Sequence, residues 1–301
     1  MKIKRHLILA AILGTSVAFA PAWADSTKEK IQEQAQTQAQ HESQDKAKEE
    51  RSRIIEDAIT ALVKTNQAIR ALDAGEPEKA IDYLSIAIGK LEAAVARNPE
   101  LALAPIDVQV ITVDTYHDVK AVKKAVREAR KYLNDGKIQA ARHLMETLAS
   151  EIVVRVTSIP LSTYPDAIKA VIPLIDQGKI KEAKLALEEA LSTLVVVDHV
   201  TPLPVVRARA MLATASELAQ QAGRSKDDQK KLDELLKAAR EQLELATALG
   251  YGDEKDFKDF YRRIEALQEQ VAGGKKGSGD DFNELILKID DFLENLYKKT
   301  L

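Results

Sequence analysis

The sequence predicts a mainly α protein of helical hairpins with a small β component and a C-terminal helical extension. Three observations carry this prediction. Apolar residues recur at helical spacing over long stretches, beginning with Ile55, Ile59, Leu62, Val63, Ile69 and Leu72. A Leu/Ile-x-x-Gly signal occurs three times, ending at Gly75, Gly136 and Gly178. Three β-branched runs, Ile106 to Val113, Ile152 to Ile159 and Leu194 to Val200, each lie beside proline.

Residues 1–24 carry the parts of a secretory leader. Lys2, Lys4 and Arg5 form a basic head, Leu7 to Ala20 an apolar run, and Ala22-Trp23-Ala24 a small-x-small cleavage site. The run is shorter than the ~20 residues of a spanning helix. The expectation is export to the periplasm with cleavage after Ala24. Cleavage leaves 41 Lys and Arg against 47 Asp and Glu, or about −6.

Residues 25–53 are rich in Gln, Glu and Lys and nearly free of large apolar side chains. A segment without such residues is expected to bury no face, so it reads as a disordered or loosely helical arm. The core is expected over 54–222, where each hairpin glycine closes one helix and starts the return of the next. Gly at a helix end adopts the left-handed conformation at no steric cost. Behind each glycine a small residue, Ala80, Ala141 or Ala183, sits where two helices can approach closely, followed by Leu84, Met145 or Leu187. The turn Gly75-Glu76-Pro77-Glu78-Lys79-Ala80 resembles a tetratricopeptide turn, but the glycines lie 61 and 42 residues apart and break the regular period of such arrays. Pro105, Pro160, Pro202 and Pro204 stop helices and favour extended backbone, which makes the three β-branched runs short strands.

A helical hairpin is expected over 223–272, with Leu232, Leu235, Leu236, Ala239 and Leu243 facing Phe257, Phe260, Ile264 and Leu267. The glycine-rich 273–280 reads as a flexible linker without phosphate-loop spacing. An amphipathic helix over 281–301 is expected to start at Asp280 or Asp281 with Glu284 completing a capping box. Its stripe of Phe282, Leu285, Ile286, Ile289, Phe292, Leu293 and Leu296 must dock, on this chain or on a second copy.

Composition excludes several chemistries. No cysteine means no disulfide, no Cys-ligated zinc and no thiol nucleophile. With 44 Lys and Arg against 47 Asp and Glu, there is no general case for nucleic acid. Near pH 4 about half of the carboxylates of the cleaved chain would be protonated, moving its net charge from about −6 to about +20. A swing of that size can rearrange subunit contacts without a dedicated switch.

Few residues offer specific chemistry. Asp114, His117 and Asp118 fall at i, i+3 and i+4, which on a helix would place an imidazole and two carboxylates together for a metal-dependent hydrolase. The plainer reading is a capped helix start with a surface ion pair. Asp198 and His199 adjoin the proline-rich segment, and His143 reads as half-buried packing. Tyr83, Tyr116, Tyr132 and Tyr164 could line a ligand groove. Tyr116, His117, Tyr164, Asp198 and His199 are therefore the candidate ligand-binding residues. No catalytic, metal-binding or cofactor-binding residue is assigned, and no cofactor is expected.

The segments Leu101-Ala-Leu-Ala-Pro-Ile-Asp107, Ile159-Pro-Leu-Ser-Thr-Tyr-Pro-Asp166 and Thr193-Leu-Val-Val-Val-Asp198 leading to Pro202-Leu-Pro204 resemble the YfdX family of exported bacterial proteins, over about 54–215. The resemblance implies a periplasmic, mostly helical protein linked to envelope and acid stress. It also implies pH-dependent oligomerisation and effects on antibiotic susceptibility. Some members are encoded beside heat-tolerance and chaperone genes. The family has no established catalytic residues to carry over. The expectation is a non-enzymatic, pH-responsive, chaperone-like or binding homo-oligomer; a small-molecule-binding module is the alternative. Its partners would be protein clients or small molecules, with no nucleic acid and no membrane after cleavage.

Overall fold

The computed structural model describes residues 26–115, 118–221 and 223–298. The expected leader, residues 1–24, lies outside the described residues. Three hairpins form at the three glycines: α2 (Glu56–Asp73) with α3 (Pro77–Arg97), α4 (Val119–Asn134) with α5 (Ile138–Met145), and α7 (Ile172–Asp176) with α8 (Ile180–Ser192). Gly75, Gly136 and Gly178 take φ of 72°, 71° and 71°. The hydrogen bonding repeats too. The Gly75 N–H donates to Leu72 O (3.2 Å) and the Glu76 N–H to Ala71 O (2.8 Å). Gly136 and Lys137 donate to Leu133 O and Tyr132 O, and Gly178 and Lys179 to Ile175 O and Leu174 O. Ala80, Ala141 and Ala183 are all fully buried behind these turns, as are Leu84 and Leu187, whereas Met145 is exposed.

These positions allow a paired test. A Cβ at Gly75 meets nothing within 4 Å, so Gly75→Ala costs only the left-handed backbone, about 1–2 kcal/mol. Gly89 lies within α3 with equally free space, and Gly89→Ala is expected to gain roughly 0.5–1 kcal/mol. Urea unfolding should shift in opposite directions for the two variants; a shift of the same sign would contradict the turn geometry.

The β-branched runs become β1 (Leu103–Asp114), β2 (Ser150–Pro160) and β3 (Val195–Pro202), one antiparallel sheet in the order β1-β2-β3. Pro105 sits on edge strand β1 at a register shift, and Pro160 and Pro202 end their strands, where a missing N–H is tolerated. The α4–α5 hairpin joins β1 to β2; α6 (Tyr164–Lys169), α7 and α8 join β2 to β3. One apolar core packs α2, α3, α6, α7 and α8 against Ala104, Ile106 and Ile159 of the sheet.

A second core gathers α9 (Leu203–Gln220), α10 (Lys226–Leu249), α11 (Glu254–Val271) and α12 (Gly279–Lys298). The five apolar positions expected on α10 and the four on α11 are all buried here. Between them, Gly250 closes α10 in the left-handed region at φ 87°. The stripe of α12 docks on this chain, with Phe282, Leu285 and Ile289 buried against α9 and α11.

Three local expectations are corrected. The residues read as an arm unable to bury a face form α1 (Ser26–Ser52), with Ala35, Ala39, Ser43 and Ala47 buried at every fourth position. Small side chains let the helix backbone approach the sheet closely, so Ala47 meets Val108, Val154 and Val156 and Ala39 meets Ile152 and Leu203. The glycine-rich segment is packed against α9: the Gly277 N–H donates to Ala219 O (3.0 Å), and a Cβ at Gly277 would stand 2.9 Å from the Ala219 Cβ. Its glycines therefore serve close approach. Finally, α12 begins at Gly279, with Ser278 Oγ 3.4 Å from the Asp281 N–H, and Glu284 is drawn to Arg263 (3.0 Å) instead of closing a capping box.

Candidate functional site

Asp114 and Ser150 face each other where β1 ends and β2 begins, and a polar cluster grows from them. Arg207 of α9 grips the Asp114 carboxylate, Nη2 to Oδ2 at 2.5 Å and Nη1 to Oδ1 at 3.3 Å, with side chains only 5% and 10% exposed. The Ser150 hydroxyl donates to the same carboxylate (2.7 Å), and Arg207 Nη2 also donates to Gln36 Oε1 of α1 (2.8 Å). The Ser150 N–H donates to the Tyr251 hydroxyl (2.9 Å), so α1, the sheet, α9 and the turn after α10 meet at one point. Burial raises the pKa of the adjacent Glu151 carboxyl; the Tyr251 hydroxyl opposes that shift and Asp198 adds to it. Burial and the charge of Glu151 push the Tyr251 phenol up in turn.

Asp114 ends a strand and Asp118 precedes α4, so the expected shared helical face does not exist. Asp118 instead caps α4, its Oδ1 accepting from the Lys120 N–H (2.7 Å) and the Ala121 N–H (2.9 Å). The ion pair of Asp114 is buried instead of lying on the surface. Tyr116 and His117 lie outside the described residues. Among the described residues no group of three or more His, Asp or Glu is placed to hold a metal.

Asp198 and His199 are neighbours on β3, and adjacent strand residues point to opposite faces of a sheet. They therefore build two different contacts. Asp198 pairs with Arg155 across the strands through two bonds of 2.7 and 2.6 Å, and those bonds hold its carboxyl below the usual range. On the other face, His199 Nδ1 donates to Tyr297 O of α12 (2.7 Å) and its ring stacks on Tyr297, centroids 4.7 Å apart. Lys46 of α1 places its ammonium 3.9 Å from the centre of the Tyr297 ring. Burial lowers the Lys46 pKa and raises that of Tyr297 to about 12.

Among the described residues, Tyr83, Tyr132 and Tyr164 do not converge on a groove. Tyr164 is wholly buried in the core of α2, α3 and α8, its hydroxyl beside Thr65, and it cannot line a ligand cleft. Tyr83 packs at the margin of that core under Lys64, while Tyr132 stands on the separate α4–α5 hairpin with its hydroxyl on Glu128 (2.9 Å). His143 is exposed, not half-buried. The sequence reading missed Arg207, Tyr251 and Tyr297; their partners lie roughly 100 residues away, beyond the reach of any local motif.

The two perturbed carboxyls predict opposite pH behaviour. The raised pKa of Glu151 means its contribution to stability is present below its ordinary 4.5 and lost as pH rises through the folded value. Glu151→Gln should therefore gain in melting temperature relative to the wild type between pH 4 and 7. The lowered pKa of Asp198 means its contribution is present above its ordinary 3.8 and lost as pH falls through the folded value. Asp198→Asn should trail the wild type most near neutrality and least at pH 3. Parallel melting curves across pH for wild type and either variant would contradict the corresponding assignment.

The YfdX protein family matches residues 61–200. A solved structure of YfdX from Salmonella Typhi is 17% identical, covers 50% of this chain and 93% of its own, and superposes with a TM-score of 0.34. No curated protein matches the sequence. The matched segment contains Asp114, Ser150, Glu151 and His199, while Gln36, Arg207, Tyr251 and Tyr297 lie outside it.

Proposed function

We propose, from the YfdX region this chain carries over residues 61–200, that the protein is an exported, non-enzymatic stress protein, a homo-oligomer that binds unfolding clients when acid loosens α12. One observation supports this most: the apolar underside of α12 is flanked by ion pairs to α9 and α11. Arg209 binds Asp290 through two bonds, Arg263 reaches Glu284 (3.0 Å), and Lys288 lies 3.6 Å from Asp259. Burial acts to raise the Asp259 carboxyl, but hydrogen bonds from Arg263 and Arg262 outweigh it and hold the pKa below the ordinary 3.8. That stabilisation is therefore present above pH 3.8 and lost as pH falls through the folded value. Released, α12 would uncover Phe282, Leu285, Ile289 and the ring cluster of Phe257, Phe260 and Phe292. Such a surface is a fitting place for exposed apolar segments of other chains.

A client-aggregation assay at neutral and acid pH tests the reading, with sizing at both pH values. Protection is expected at acid pH and, for a chain truncated after Gly274, already at neutral pH. Absence of protection from both chains at both pH values would overturn it. A second reading follows from the open groove between α11 and α12, lined by Arg240, Gly252, Phe260, Lys288 and Phe292, which suits a small molecule. A ligand there would hold α12 down and raise the melting point with concentration.

A further inference from the structure

We propose that the α4–α5 hairpin is a docking surface for anionic lipid bilayers. Residues 119–145 hold eight Lys and Arg against Glu128 and Asp135, a net +6 within a chain whose formal charge is −3. Lys120, Lys123, Lys124, Arg127, Arg130 and Lys131 are all exposed. At 100° per residue they occupy one arc of about 120° on α4. The opposite arc, with Val122 and Ala129, is buried towards α5 and α10. Among the described residues none of these six cations has a carboxylate partner. Positive charge is gathered on one face without an ion pair among the described residues.

The tip of the hairpin adds the second half of the pattern. Leu133 and Ile138 flank the Gly136 turn and are 42% and 56% exposed, beside Arg130, Lys131 and Lys137. Two apolar side chains ringed by cations suit the boundary between phosphate headgroups and acyl chains. A phosphate backbone alone would bind the cations and leave the apolar tip in water, which favours a bilayer over a nucleic acid. No helix among the described residues is long and apolar enough to cross a membrane, so the contact is with the surface. The hairpin is inserted between two paired strands and touches the helices beyond them mainly at α10, so it can meet a bilayer without disturbing either core. The whole-chain balance of 44 Lys and Arg against 47 Asp and Glu conceals this local excess.

The test is co-sedimentation of the chain lacking residues 1–24 with vesicles of pure phosphatidylcholine and with vesicles containing phosphatidylglycerol, at low and high salt. Removing the leader matters because its apolar run would bind vesicles by itself. Binding is expected to the anionic vesicles only, to weaken with salt, and to fall at least tenfold in K124E/R127E/K131E. Leu133→Ser with Ile138→Ser should weaken binding at unchanged charge. The charge reversals are on exposed positions, and K124Q/R127Q/K131Q, expected to fall in the same direction, provides a second set if they disturb folding. Equal binding to both vesicle types, or none to the anionic ones, would overturn the proposal. So would hairpin substitutions that change only the oligomeric state, or binding of duplex DNA without binding of vesicles.

Discussion

Replacing Arg207 with Leu should cost about 3–5 kcal/mol, because Asp114 would be left as a buried carboxylate without its cation. A domain of ordinary stability has only about 5–15 kcal/mol in total, so this single change removes a large share. At roughly 2–4 °C per kcal/mol for a chain of this size, the melting temperature should fall by about 10 °C. The size of the effect follows from geometry. Arg207 donates to both oxygens of Asp114 and to Gln36, so its loss also frees one anchor of α1 from the sheet. Pairing it with Asp114→Leu should recover much of the loss, since removing both partners leaves no stranded charge. Urea unfolding of the two single variants and the double variant gives the coupling energy directly. A cost below about 1 kcal/mol for Arg207→Leu would mean that water reaches the pair.

Phe282→Ala is expected to be of similar size, about 3–5 kcal/mol, for a different reason. Phe282 is fully buried where α12 first touches α9 and the end of α11, and a Cβ at Gly277 would already stand 3.5 Å from its ring. Truncating it leaves a cavity that the packed glycine segment cannot close. The loss should be felt first as release of α12, visible as faster proteolysis between residues 273 and 279. Leu287 lies on the solvent side of the same helix, 63% exposed, and Leu287→Ala should stay within about 0.5 kcal/mol. If both variants cost the same, α12 is not seated through Phe282.

Much of this fold was legible because its signals are local. Gly75, Gly136 and Gly178 announce their turns through backbone conformation alone, and prolines bracket the β-branched runs that pair as β1, β2 and β3. What failed depended on distance or on size. The burial of α1 leaves little trace in the sequence because it uses the small residues Ala35, Ala39, Ser43 and Ala47 and no large apolar ones. The glycines of 273–279 look the same in sequence whether they confer flexibility or allow contact with Ala219 and Gln220. Two expected groupings do not form, because of secondary structure. A helical period links Asp114 to Asp118 in the sequence, but a strand ends at Asp114, and Asp198 and His199 are adjacent in the chain while a sheet separates their side chains. The Arg207 cluster joins residues from four parts of the chain, and no spacing rule connects Gln36 with Asp114, Arg207 and Tyr251.

The placement of α4 and α5 between β1 and β2 bears on how the chain finds its shape. Asp114 and Ser150 pair directly, yet the whole of 115–149 separates them. An unstructured loop of that length would have to surrender its freedom before the strands could meet, a cost that grows with the logarithm of the loop. A helical hairpin closed by a glycine turn forms from neighbouring residues and brings its own ends together. Once it has folded, the strands need search only across its base. A hairpin that forms first would make this distant pairing near, so substitutions that weaken the Gly136 turn are expected to slow folding more than they speed unfolding.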